Sequence, residues 1–145
     1  MVDLLLVSSP GGHLETAKFL AQGINLKFKY VIHDAKVNKI NGNVVLHAPH
    51  SDRDIKILSQ ILYAIKIIVL ENPKTIISTG AGIAVSFFLI GKILRKKLIF
   101  IESATRIKDL SLSGKICYLF ADRFYVRYPG LLKKYPKAIF IMEAI

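Results

Sequence analysis

The stretch Leu4-Leu5-Leu6-Val7-Ser8-Ser9-Pro10-Gly11-Gly12-His13-Leu14-Glu15 decides the fold. Residues 2–7 form a short apolar run with the length and composition of a buried parallel strand. Residues 15–20 read as a helix, so Ser8 to Glu15 is a strand–glycine–helix junction. Such a junction leaves the first-turn N–H groups unpaired at the carboxyl end of a sheet. Gly11 and Gly12 keep the approach open and supply the turn, and the helix start favours an anion, typically phosphate. The spacing is neither G-x-G-x-x-G nor G-x-x-x-x-G-K-[ST]. Taken alone, the loop reads equally as a tight turn without a ligand. His13, in the first turn, is placed to donate to phosphate, to act as a base, or merely to pack.

Outward from this junction the pattern repeats. Residues 27–33 and 43–47 read as strands, with 36–43 as the loop between them. Ser51-Asp52-Arg53-Asp54 has N-cap chemistry before a long helix reaching about Asn72. Lys56, Ser59, Gln60, Tyr63 and Lys66 share one stripe of that helix, and the rest is nearly all Ile, Leu and Val. That arc suits a crossover helix packed on two sides, or one whose outer face meets lipid or a partner. Thr75-Ile76-Ile77-Ser78-Thr79 is a strand running into Gly80-Ala81-Gly82 and an apolar helix over 83–94. Two glycine junctions in one sheet converge on one crevice. Residues 97–101 form a further strand, with Glu102-Ser103-Ala104-Thr105-Arg106 at its carboxyl end. Glu102 is a candidate base and Arg106 a fork for phosphate, unless the two simply pair with each other. A helix from Ser111, a strand over 123–126, a turn with a short helix at Tyr128-Pro129-Gly130 and a strand over 138–141 complete the chain. The fold expected is α/β: one Rossmann-like, doubly wound parallel domain over residues 1–145.

Composition narrows the partners. The net charge is +11, and twelve of the 21 basic residues lie between Lys92 and Lys137 against Glu102, Asp109 and Asp122 alone. Such a field attracts phosphate-rich partners. No nucleic-acid reading module is present, so no nucleic-acid partner is expected. The high proportion of hydrophobic residues suits an anionic membrane surface, where each Lys or Arg near the headgroups contributes about 1 kcal/mol. No run approaches the about 20 apolar residues of a spanning helix, and the amino terminus does not read as a signal peptide. Cys117, the single cysteine, reads as a small buried residue. His33, His47 and His50 fall at or beyond strand ends without paired spacing or a carboxylate partner in the sequence, so no metal site is expected.

Three motifs in order, Ser-x-Pro-Gly-Gly-His-Leu-Glu, Ile-Ser-Thr-Gly-Ala-Gly and Ile-Glu-Ser-x-x-Arg-Ile-x-x-x-Ser-Leu-x-Gly-Lys, carry a resemblance across nearly the whole chain. The chain resembles the membrane-associated, acceptor-binding subunit of the bipartite UDP-GlcNAc transferase of N-glycan assembly, with bacterial relatives in surface-polysaccharide assembly. This resemblance implies the N-terminal-type half of a GT-B glycosyltransferase. A separate catalytic, donor-binding subunit would carry the UDP-sugar, and this chain would hold a lipid-diphosphate-linked sugar acceptor. On that reading Gly11, Gly12, Gly80, Gly82, Ser103 and Arg106 hold the acceptor diphosphate. His13 or Glu102 is the base of an inverting transfer, and no cofactor or metal is needed. The eukaryotic members usually begin with a membrane-spanning anchor. With none read here, attachment is expected to be peripheral, on the cytoplasmic face of the membrane. The alternatives are a non-catalytic anchor for the catalytic subunit, or an independent nucleotide-binding domain.

Overall fold

The computed structural model describes residues 1–50 and 56–142. The order is β1 (Leu4–Ser8), α1 (Gly12–Ala21), β2 (Phe28–His33), β3 (Lys39–Ile40), β4 (Asn43–Ala48), α2 (Lys56–Glu71), β5 (Thr75–Ser78), α3 (Ile83–Ile93), β6 (Lys97–Ile101), α4 (Leu112–Phe120), β7 (Arg123–Val126), a 3-10 turn (Pro129–Lys133) and β8 (Ile139–Phe140). They build one eight-stranded sheet in the order β3-β4-β2-β1-β5-β6-β7-β8. Every described pairing is parallel except the β3–β4 hairpin. That hairpin replaces part of the expected loop over 36–43. Asn41 and Gly42, both at positive φ, close it, which is the primed-turn chemistry of two-residue hairpins.

The sheet winds outward in both directions from β1, which pairs with β2 on one side and β5 on the other. The reversal of strand order falls between β1 and β5, and both glycine loops leave from those two strands. An α/β sheet opens its binding crevice at such a switch point.

Side-chain alternation divides the core. Leu5 and Val7 join Ile76, Phe87, Phe88, Phe100 and Phe124 on the α2–α3–α4 face. Leu4 and Leu6 join Ala17, Tyr30 and Ile32 on the α1 face. Phe100 stacks on Phe124 at 4.9 Å and meets Phe88 edge-on at 5.8 Å. Burying each such side chain contributes roughly 1.5–3 kcal/mol. α3 is the buried crossover helix expected, with Ile83, Ala84, Ser86, Phe87, Phe88, Ile90 and Gly91 all inside.

α2 departs from its expected polarity. Gln60 is buried and donates through Nε2 to the Pro49 carbonyl at 3.0 Å, and Tyr63 packs against Phe87. Burial pushes the Tyr63 hydroxyl up to about 12. Ser59 and Lys66 of the expected stripe are exposed, but so is an apolar row: Leu58, Leu62, Ile65 and Val69, spaced by four, three and four residues, all face out. The N-cap expected at residues 51–54 lies outside the described residues.

Candidate functional site

At the first loop, Gly11 adopts φ +84°, a conformation only glycine takes without strain. Glu15 N–H donates to the Gly11 carbonyl at 3.1 Å, the first helical bond. The N–H groups of Gly12, His13 and Leu14 therefore have no intrahelical acceptor. A Cβ on Gly11 or Gly12 would meet nothing within 4 Å, so the space beside both is open.

The second loop grips the first. Thr79, directly after β5, donates through Oγ1 to the His13 carbonyl at 2.7 Å, and its own carbonyl lies 2.8 Å from His13 Nδ1. A carbonyl can only accept, so Nδ1 carries the proton and the lone pair sits on Nε2. Gly80, at φ +125°, leaves the space the ring fills. Ala81 follows at φ +69°, an unusual left-handed alanine that costs roughly 1–2 kcal/mol. Backbone strain of this kind gathers at functional sites. Thr79 carries this arrangement, and the sequence reading missed its role. Its signal was its place as the polar residue between a strand and a glycine.

The third loop supplies the polar wall. Arg106 N–H closes a turn onto the Ser103 carbonyl at 3.1 Å, and the Ser103 and Thr105 hydroxyls lie 2.9 Å apart. Tyr128 holds the loop from behind by donating to the Ala104 carbonyl at 2.7 Å. His13, Ala81, Ser103, Thr105, Arg106, Ser111, Leu112 and Ser113 line a cleft of about 220 Å³. Leu112 and Ser113 also border an apolar groove of about 370 Å³ with Ile57, Val85 and Ile116. A polar pocket thus runs into an apolar groove across one turn of α4. A larger concavity, about 620 Å³, lies at the amino-terminal ends of β2 and β4 among Asn25, Tyr30, Asn41 and Asn43, away from the glycine loops that follow β1 and β5.

Glu102 does not stand in this cleft as a base should. It is 1% exposed. Oε1 accepts from Ser103 N–H at 2.9 Å and Oε2 from Ser111 N–H at 3.0 Å, with the Ser111 hydroxyl within 3.1 Å of both. Ser111 in turn caps α4 by accepting from Gly114 N–H at 2.9 Å. Glu102 is therefore a buried brace that closes the third loop onto the start of α4, where a helix favours negative charge. Nor does it pair with Arg106: among the described residues no carboxylate lies within ion-pair distance of that guanidinium. Nearby Cys117 is buried, and desolvation, then the charge of Glu102, raises its thiol far above neutrality.

A parallel sheet with two glycine loops at its switch point defines the class: a Rossmann-like α/β domain. Solved structures bear this out at the level of fold. The UDP-GlcNAc 2-epimerase of Methanocaldococcus jannaschii superposes with a TM-score of 0.73 at 12% identity, over 95% of this chain and 45% of that one. MurG of Acinetobacter baumannii gives 0.73 at 12% identity, over 88% and 42%. The chain belongs to the Alg14 family: residues 16–143 match the family described as "Oligosaccharide biosynthesis protein Alg14 like". UDP-N-acetylglucosamine transferase subunit alg14 of Schizosaccharomyces pombe is 45% identical over 74 residues, 48% of this chain and 35% of that protein. The human subunit is 39% identical over 76 residues, 48% and 35%. That of Kluyveromyces lactis is 32% identical over 137 residues, 78% and 57%. The matched region spans little over half of these relatives' own length at most.

Proposed function

We propose that this chain is the acceptor-binding subunit of a two-chain glycosyltransferase that takes its UDP-sugar from a catalytic partner. The observation that carries this is the cleft itself: a polar pocket with Arg106 and His13 on its wall, continuous with an apolar groove. A lipid-diphosphate-linked sugar has that polarity along its length. Gly11, Gly12, Gly82, Ser103 and Arg106 hold the diphosphate, through unpaired N–H groups and a guanidinium. Gly80, expected to share this role, instead donates its N–H to Ser78 Oγ at 3.2 Å and gives its open side to the His13 ring. The lipid chain leaves along Ile57, Val85 and Ile116. His13 Nε2 takes the proton of the acceptor hydroxyl as that oxygen bonds the anomeric carbon and UDP departs, inverting the centre. His13 is preferred to Glu102 as base, because both carboxylate oxygens of Glu102 are already engaged inside the protein.

Attachment to the cytoplasmic face of the membrane is peripheral on this reading. It is supported by the exposed stripe Leu58, Leu62, Ile65 and Val69, with Ile93 and Leu94 at the end of α3 beside Lys92, Arg95 and Lys96. The partner has a candidate seat on the α1 face of the sheet. There Ile77 and Ile99, aligned with Leu6 through the strand register, are only partly buried, as is Tyr125, which stands opposite Ile101 on the same face.

The test is reconstitution of the chain with its catalytic partner, UDP-GlcNAc and a lipid-linked diphosphate acceptor in vesicles. Sugar transfer that needs both chains, and that His13→Ala removes, supports the proposal. Unchanged turnover in His13→Ala makes the chain a non-catalytic anchor. Tight UDP-sugar binding by the chain alone removes the acceptor-half assignment.

A further inference from the structure

We propose that His33, Asp34 and His50 form a binding site for one divalent transition-metal ion of the zinc class, independent of the transferase cleft. β2 ends at His33. Asp34 follows at φ +51°, a left-handed conformation that aspartate tolerates better than most residues. The carboxylate thereby comes to its neighbour's ring, with Oδ2 3.3 Å from His33 Nδ1. β4 runs parallel to β2 with Ala48 opposite His33, so His50, two residues on, emerges beside the same spot. Its Nδ1 lies 2.6 Å from Asp34 Oδ2 and 3.3 Å from His33 Nδ1. Two imidazole nitrogens and a carboxylate oxygen, 17 residues apart in the chain, thus meet at one point.

Zinc holds such ligands at about 2.0–2.1 Å, which for tetrahedral geometry sets them ~3.3 Å from one another. Two of the three edges already have that length. The third is a hydrogen-bonded contact that opens by roughly 0.7 Å when the ion replaces the proton. Three basic atoms this close call for positive charge between them. A proton serves one edge at a time, whereas a metal ion serves all three. Two imidazoles and one carboxylate suit Zn²⁺ or Co²⁺ better than the oxygen-seeking Mg²⁺ or Ca²⁺.

The side chains of His33, Asp34 and His50 are 17%, 57% and 43% exposed, so the ion has a way in and solvent can complete its shell. The site would act as a clip between the segments leaving β2 and β4. Asp34 also borders a small cleft with Pro10 and Leu14 of the first glycine loop, so the clip stiffens a wall next to that loop. The sequence reading set metal ligation by His33, His47 and His50 aside for want of paired spacing or a carboxylate partner, and passed over Asp34 beside His33. His33 ends β2 and His50 follows the end of β4, and only the sheet register brings them together.

The test uses the untagged full chain, stripped with chelator and titrated with Co²⁺ and, by calorimetry, with Zn²⁺. Expected are one equivalent per chain, visible Co²⁺ bands of tetrahedral type and a higher melting temperature with Zn²⁺. His33→Ala, Asp34→Asn and His50→Ala each weaken binding at least ~10-fold. His47→Ala, whose ring meets Asn38 instead, leaves it unchanged. If His33→Ala fails to fold, the more exposed His50 decides the matter. Absence of stoichiometric uptake, or uptake that His50→Ala and Asp34→Asn leave intact, overturns the site and makes the cluster a hydrogen-bonded surface group.

Discussion

Gly80 makes the room that His13 occupies: a Cβ on Gly80 would stand 2.7 Å from His13 Nδ1 and 2.8 Å from Cε1. The two glycine loops are therefore a single device, because the second is shaped around a side chain of the first. Gly80→Ala adds that clash to a backbone at φ +125°. We expect a loss of about 1–3 kcal/mol in urea denaturation, together with loss of transfer activity as the ring is displaced. Unchanged stability and turnover would break the link between the loops.

His13→Gln tests the base directly. It retains a polar side chain in the first turn but has no basic nitrogen. Turnover of the reconstituted complex should fall by roughly 10²–10⁴, with acceptor affinity changed far less. A change confined to acceptor affinity would make His13 a binding group.

Glu102→Gln tests the brace. The amide places an N–H₂ group among donors from Ser103 and Ser111, leaving a buried donor facing a donor. A cost of about 1–3 kcal/mol is expected, read as a shift in urea midpoint without a change in slope. An unaltered midpoint would mean that the loop does not depend on this carboxylate.

Asp109 sets part of the acid response. Lys115, Tyr135 and Lys134 surround its carboxylate and hold it well below the usual range. The contribution of this group is present above the unfolded-chain value of about 4 and is lost as pH falls toward the lower folded value. Asp109→Asn should flatten the dependence of unfolding free energy on pH below about 4 and leave the slope above neutrality untouched. An identical acid slope in both proteins would refute the assignment.

Leu62→Glu, in the exposed stripe of α2, tests the membrane face. Co-sedimentation with anionic vesicles should drop by at least ~10-fold through lost apolar burial and charge repulsion. Neutral vesicles should retain less of the wild-type chain than anionic ones. Equal retention of both proteins would move the contact elsewhere.

Much of this was legible in one dimension. Apolar runs bounded by glycine and proline gave seven of the strands within a residue or two, since parallel strands are buried on both faces and read as continuous hydrophobic stretches. The short strand at Lys39–Ile40 escaped, because two residues carry no periodic signal and only pairing with Asn43–Ala48 makes them a strand. The polar stripe on α2 misled: Gln60 and Tyr63 find partners inward, and the helix leaves leucines outside.

What the sequence by itself determined is the alternation of strand, glycine turn and helix, and hence a parallel sheet with its loops gathered at one end. Backbone propensity and hydrophobic period are local properties, so they survive without coordinates. Only the tertiary structure decided which polar groups spend themselves on each other. It sent Glu102 inward to Ser111, locked His13 through Thr79 with Nε2 left over, and brought His33, Asp34 and His50 to one point. Those outcomes depend on strand register and on distances between residues remote in the chain, which composition and spacing do not encode.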